Sequence, residues 1–392
     1  MAGLAHIRVL ELSQVLAGPY CAMMLGDLGC DVVKVELPGV GDSTRGQPGD
    51  TWQAAGFFAV NRNKRSMTLD LHHPEAVAVL ERLVERSDVL IESFRPGTAE
   101  RFGIGYEHLR TLNPGLVYAS ISGYGATGPL AAQGGYDIMA QAMSGIMSVT
   151  GEPDRPPVKA GVAVTDVGAG LYCLVGILAA LTERARTGKG QKVETSLFEA
   201  GLGFSLWEAV ELWWSGSTPG RHGSAHRMSA PYQAVATSDG HVTMAALSDT
   251  QFGAVAGLLG HPEWPDDDRF ASNDARLRHR EELVALIEAE TGRLPSAVWA
   301  ERLNAAGVPA APVLDYRSAF EHPQAAARAM KVTADHPDAG PIPLVGSPVK
   351  LSAASPLVRR PPPRLGEHTD EVLSSLGLGD EEIRRLREAG AV

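Results

Sequence analysis

The 392-residue chain predicts an α/β protein: a large domain with a mainly parallel open sheet flanked by helices, and a smaller α+β domain. Three observations carry that reading. Strand and helix signals alternate through the first 200 residues, the rhythm that builds parallel sheets covered by helices. The alternation stops after residue 215, at the Gly-, Ser- and Pro-rich stretch "GSTPGRHGSAHRMSAPYQ" (216–233). The length exceeds one ordinary compact domain, and a 44% hydrophobic content can fill two cores.

Each element follows from its local pattern. "HIRVLEL" (6–12) reads as a strand, and "AGPYCAMMLGDLG" (17–29) as a helix with Pro19 in its first turn. "DVVKVEL" (31–37) and "RSMTLDL" (65–71) are strands two and three. "HPEAVAVLERLVERS" (73–87) puts Ala76, Leu80, Leu83 and Val84 on one helical face and leaves Glu75, Glu81 and Arg82 to water. "DVLIESF" (88–94) and "LVYASIS" (116–122) are further strands. Ligands of such sheets bind beyond the carboxyl ends of the strands, where loops converge. In the second half, "YQAVATSDGHVTMAAL" (232–247) predicts a hairpin turning at Asp239-Gly240. Helical patterns follow at 249–258, 276–291 and 297–306, then a strand in "GPIPLVGSPVKLS" (340–352) and a terminal helix after "RRPPPRLGEHTDEVL". The expected boundaries are 1–215 for the large domain, completed by about 335–392, and 216–334 for linker and small domain.

Charge and composition narrow the function. A net charge of −11 disfavours nucleic acid as partner. Cys21, Cys30 and Cys173 are far apart with no metal-ligand spacing, which fits a reducing, cytoplasmic setting. The apolar run 167–181 is too short to span a bilayer and reads as a buried helix, so no membrane role is expected.

Several motifs tempt. "GYGATG" (123–128) matches G-x-G-x-x-G, but Pro129 and a polar stretch separate it from the next helix, near Tyr136. It reads as a Gly-rich loop. "HGSAH" spaces His222 and His226 four apart, yet no Asp, Glu or Cys lies within it, so no metal site is expected. There is no G-x-S-x-G elbow and no P-loop pattern. The basic cluster "NRNKR" (61–65), with Arg95 and Arg101, divides evenly between a solvated surface and phosphate recognition.

Asp166 is the most informative single residue. Thr165-Asp166 stands immediately before a predicted helix at 167–186, where an Asp is by default an N-cap contributing about 1 kcal/mol. The same place suits a nucleophile, because helix amides can stabilise charge and Gly161, Ala163, Gly168 and Ala169 leave room for a bulky substrate. Pattern alone leaves both open.

A set of segments in order resembles one family. It runs from "VLELSQVLAGPYCAMMLGDLGCDVVKVE" through "FFAVNRNKRSMTLDLHHPE", "DVLIESFRPGTAERFGIGY", "GYGATGP", "GGYDIMAQAMSGIMSVTG" and "RTGKGQKVETSLFEA" to "LGEHTDEVL". These are similar to the class III coenzyme A transferases. The resemblance implies an enzyme that moves CoA from an acyl-CoA donor, such as succinyl-CoA or another dicarboxylyl-CoA, to a free acid. It implies Asp166 as nucleophile, passing through an aspartyl-acyl anhydride and an aspartyl-CoA thioester. It carries coenzyme contacts to Leu16, Ala17, Leu69, Asp70, Leu71, His72, Ser93, Phe94, Arg95 and Arg101, and the thioester region to Gly134, Gly135, Tyr136 and Asp137. It implies an intertwined homodimer, CoA thioesters as substrates and no permanently bound cofactor. His222, His226 and Arg227 are candidates for a distal substrate carboxylate.

The chain departs from the transferase pattern in two places. Leu37 stands where some transferases carry Arg, and the glycine-only loop of formyl-CoA transferases is absent. Tyr136 stands where the related 2-methylacyl-CoA racemases use His. A Tyr hydroxyl, with ordinary pKa near ~10, exchanges α-protons poorly near neutral pH. Racemase and non-catalytic acyl-CoA-binding protein are therefore the alternatives to transferase.

Overall fold

The structure is a computed structural model describing residues 3–46, 51–353 and 356–392. The elements are β1 (Arg8–Glu11), α1 (Ala17–Asp27), β2 (Asp31–Glu36), α2 (Thr51–Val60), β3 (Lys64–Thr68), α3 (Pro74–Val84), β4 (Val89–Glu92), α4 (Thr98–Arg101), α5 (Tyr106–Leu112) and β5 (Val117–Ser122). They continue with α6 (Asp137–Met143), α7 (Ile146–Val149), α8 (Val164–Thr187), β6 (Lys192–Ser196), α9 (Leu197–Phe204) and α10 (Leu206–Ser215). Then come β7 (Tyr232–Ala236), β8 (His241–Ala245), α11 (Asp249–Leu258), α12 (Asn273–Arg278), α13 (Arg280–Thr291), α14 (Ser296–Ala305) and β9 (Ala310–Pro312). The last are α15 (Tyr316–Glu321), α16 (Pro323–Ala327), β10 (Lys331–His336), β11 (Gly340–Val345), α17 (Thr369–Ser375) and α18 (Asp380–Glu388).

Two compact units result. The first comprises Met1–Ile146, Lys159–Trp214 and Gln324–Val392. Its sheet has six strands in the order β3-β2-β1-β4-β5-β6, all neighbours parallel. The two-residue strand period sorts side chains to opposite faces. Leu10, Val33 and Leu90 pack under α3, α5, α17 and α18, whereas Val9, Val32 and Ile91 pack under α1, α8 and α9. Both faces being covered explains why the central strands read as apolar runs. The second unit, Met147–Val158 with Ser215–Pro323, holds the antiparallel sheet β7-β8-β9 and its own core around Phe252, Phe270, Ile287 and Trp299.

Four readings from sequence change. β6 carries charged side chains on an exposed face and has no apolar run to reveal it. The expected helix 276–291 is two, α12 and α13, parted at His279. The strand expected over 340–352 stops at Val345, where its antiparallel partner β10 begins. And "NRNKR" is no free basic patch. Arg62 grips Asp27 at 2.6 Å, Lys64 meets Glu11 at 2.7 Å with both side chains fully buried, and Arg65 reaches Asp31 at 2.6 Å.

Helix α8 is long and apolar enough by composition to cross a bilayer, but here Ala169, Cys173, Ile177 and Ala180 bury it in the core of the first unit. Its glycines set the fit: a Cβ at Gly170 would stand 2.6 Å from the Ala17 carbonyl oxygen. Only glycine lets α8 and α1 approach so closely.

Candidate active site

The strand order reverses between β1 and β4, and ligands of open parallel sheets bind outside that crevice. The loops there leave a cavity of about 450 Å³. Its walls are the chain leaving β1 (Gln14, Val15, Leu16, Ala17), β4 (Ser93, Phe94, Arg95, Pro96, Thr98), β5 (Ser122, Gly123) and β6 (Leu197). Gln133, Gly134, Gly135, Tyr136 and Asp166 close it. Two Gly-rich segments cross here. A Cβ on Gly123 would sit 2.8 Å from Gly135 Cα, so the "GYGATG" and "GGYD" backbones touch only because both positions lack a side chain.

Asp166 does not cap its helix. α8 starts at Val164, three residues earlier than the pattern indicates, and the residue at its N-cap, Ala163, makes no side-chain bond. The capping work falls to Asp137, 29 residues upstream. Its Oδ1 accepts from the Thr165 amide at 3.0 Å and from Thr165 Oγ1 at 2.8 Å, and its Oδ2 accepts from Gln141 Nε2 at 2.6 Å. Gln141 Oε1 in turn accepts from the Ala160 amide at 2.8 Å. The pair fastens both ends of the 160–165 segment to α6.

The neighbouring carboxylate is bare. Among the described residues no group hydrogen-bonds Asp166. Burial, and after it the charge of Asp137, push its pKa up to about 6. Near neutral pH it is ionised yet poorly solvated, the condition of a carboxylate nucleophile. Arg95 is the one cation on the described cavity wall, with its guanidinium over Gly134.

The other sequence-identified residues divide. Leu16, Ala17, Ser93, Phe94, Arg95, Gly134, Gly135 and Tyr136 meet around Asp166 on the cavity wall. Leu69, Asp70, Leu71, His72, Arg101 and Asp137 do not line it. Leu69 is buried in the core with Leu71 packed beside it, and Asp70 bonds its neighbour His72 at 2.8 Å. That turn still connects to the wall: His72 stands edge-on to Phe102 at 5.1 Å, and Phe102 edge-on to Phe94 at 5.9 Å. Arg101 donates to Thr98 Oγ1 of the wall at 2.9 Å. In the second unit His226 stacks on Tyr232 at 4.8 Å, and His222 and Arg227 line a separate hollow beside the start of α13.

Sequence reasoning missed Gln14, Val15, Thr98, Ser122 and Gln133 on the wall, and Thr165 and Gln141 behind it. Gln141 had a usable signal, its i,i+4 spacing from Asp137 on a helical segment.

Comparison with known proteins decides the family. The profile of CoA-transferase family III matches residues 4–369. The chain belongs to CoA-transferase family III. It is 41% identical over 381 residues to the succinate–glutarate CoA-transferase of Agrobacterium fabrum, with 95% of each chain covered. It is 39% identical over 390 residues to the succinyl-CoA:mesaconate CoA-transferase of Haloarcula hispanica, covering 97% of this chain and 98% of the other. A solved CAIB/BAIF family protein from Brucella suis matches with a TM-score of 0.86 and 42% identity, over 94% of this chain and 98% of that one. This family III member is a CoA-transferase, acting on acyl-CoA and carboxylic acid substrates.

Proposed function

We propose that Asp166 is the nucleophile of this transfer and that the cavity holds the thioester end of the acyl-CoA. The bare carboxylate carries the reading: Asp166 is the one acid on the described wall, partly desolvated and without a hydrogen-bond partner there. An Asp166 oxygen attacks the thioester carbonyl, the C–S bond breaks, and an aspartyl-acyl anhydride and CoA thiolate form. The thiolate attacks the Asp166 carbonyl carbon, releasing the donor acid and leaving an aspartyl-CoA thioester. The acceptor carboxylate attacks that thioester, expelling thiolate. The thiolate then takes the acceptor's acyl carbon, and Asp166 is restored. Excluding water protects the anhydride and thioester from hydrolysis.

Leu16, Ala17, Ser93, Phe94 and Arg95 would bear on the coenzyme arm and Gly134, Gly135 and Tyr136 on the thioester. The Leu69–His72 turn and Arg101 would lie further out along the coenzyme. The relatives' dicarboxylic substrates support a dicarboxylyl donor such as succinyl-CoA. A brief incubation with succinyl-CoA, quenched and digested, tests the mechanism: the CoA mass should appear on the peptide bearing Asp166. An adduct on another residue, or turnover with no adduct after rapid quench and full turnover by Asp166→Ala, sinks it.

An exposed apolar face supports the homodimer. On α8 and α10, Val175, Leu206, Trp207, Trp213 and Trp214 face outward, Trp214 at 92% exposure. Monomeric proteins rarely leave such a surface uncovered. If two chains interlock, differently tagged preparations mixed in native buffer should stay unmixed for days and form heterodimers only after unfolding and refolding. Free cysteines, all three buried, support the cytoplasmic placement.

A further inference from the structure

The cavity rim after β1 has an unusual shape that its own sequence does not favour. Val15 sits at φ +71°, in the left-handed region, where a β-branched residue is a genuine outlier and strained. Something must hold it there. The Val15 amide points at the Asp42 carboxylate, 3.3 Å from both oxygens. Two residues back, the Ser13 carbonyl accepts from Lys34 Nζ at 2.8 Å, and Ser13 Oγ donates to Glu11 at 3.0 Å. Lys34 and Asp42 meet each other at 3.0 Å, with both side chains at 0% exposure. One buried ion pair therefore grips the rim on either side of Gln14, by a carbonyl and by an amide.

The pair is itself rigidly framed. Asp42 accepts from the Thr44 amide at 3.0 Å and Thr44 Oγ1 at 2.8 Å, and its own amide donates to Glu36 at 3.0 Å. Burial would strip Lys34 of its charge, but Glu11 and Asp42 outweigh burial and raise its pKa. The grip therefore persists across the working pH range. Its position also matters beyond the rim, because the next residues, Leu16 and Ala17, line the cavity, and α8 rests on the Ala17 carbonyl at Gly170.

We propose that the buried Lys34–Asp42 pair is a positioning device for the acyl-CoA, holding the Ser13–Ala17 rim in a strained shape that Val15 would otherwise abandon. Neither residue touches the reacting atoms; both act through the rim. The inference rests on the cavity being the acyl-CoA site, a reading that wild type and Asp166 variants test separately.

A double-mutant cycle between Asp42 and Val15 tests the device. Asp42→Asn keeps the shape and leaves Lys34 paired with Glu11, but weakens the hold on the Val15 amide. It should raise KM for succinyl-CoA about tenfold while kcat stays within about threefold. Glycine adopts positive φ without strain. In the Val15→Gly background, Asp42→Asn should therefore change KM by less than about twofold. Additive effects in the cycle overturn the proposal, as does an unchanged KM in Asp42→Asn alone. If Asp42→Asn fails to fold, the same reasoning requires Val15→Gly to restore folded protein, and failure of that rescue overturns it equally. A general loss of packing would be indifferent to Val15→Gly.

Discussion

Two carboxylates stand at the first turn of α8, and their surroundings are opposite. Asp137, from α6, accepts three hydrogen bonds from Thr165 and Gln141. Asp166, on α8 itself, accepts none from the described residues and is pushed up to about 6. Saturated with donors, the first is a brace: its hydrogen bonds define where α8 begins. The second has been left without partners by the same framework that satisfies its neighbour. A partly buried acid lacking donors lowers stability, and such groups cluster at functional sites. Hydrogen bonding, more than residue type or place on the helix, separates the two acids here.

The largest expected effect falls on the bare acid. Asp166→Asn should lower CoA exchange between succinyl-CoA and free dicarboxylic acids by at least about a thousandfold, because the covalent route has no other donor of a carboxylate. Turnover within about tenfold of wild type would break the contrast at its reactive end. Asp137→Asn probes the brace and should cost less, about ten- to a hundredfold in kcat/KM, through a loosened Thr165. It also has a signature in pH. Wild-type kcat/KM should fall as pH drops through about 6, where Asp166 takes up a proton. Removing the Asp137 charge takes away the second cause of that raised pKa, so the acid limb should move to lower pH while burial keeps it above the ordinary carboxylate range. An acid limb that stays in place in a folded Asp137→Asn enzyme would show that the two acids do not communicate.

The same contrast explains what could be read from the sequence. Strands β1 to β5 and helices α1 and α3 of the first unit were legible because local periodicity encodes them: Leu10 against Val9 and Leu80 against Glu81 alternate as the elements require. Partners distant in sequence were not legible. "NRNKR" gives no sign that Glu11, Asp27 and Asp31 wait opposite it, so a buried ion network and a phosphate site look alike in the chain. The true start of α8 was hidden for the same reason, since its capping acid lies on another helix. Asp166 itself was visible as a lone acid in an apolar stretch, but resemblance had to choose between cap and nucleophile. The strained Val15 was invisible altogether, because nothing in "LSQVLAGP" announces a positive φ at a β-branched residue.

The smallest effect is the one that reverses sign between the two readings of Asp166. Its folded-state pKa of about 6 lies above the ordinary aspartate value of 3.8, so the folded chain binds the proton more tightly than the unfolded one. Below about pH 4 both states are protonated and the group is without consequence. As pH rises through the folded pKa, the native state has to ionise a partly buried carboxyl and loses stability, with the full loss present above about pH 6. Allowing for partial solvation, that loss is on the order of 1–2 kcal/mol. Asn keeps the shape without the charge. Folded Asp166→Asn should therefore melt a few degrees above wild type at pH 8, and the two melting curves should converge near pH 4. A helix cap would behave the other way: Asn caps about as well as Asp but gives up the charge facing the helix amides, so the variant would be about 0.3–1 kcal/mol less stable at pH 8. A melting temperature that falls on substitution at pH 8 would return Asp166 to the braced class and leave Asp137 without its contrast.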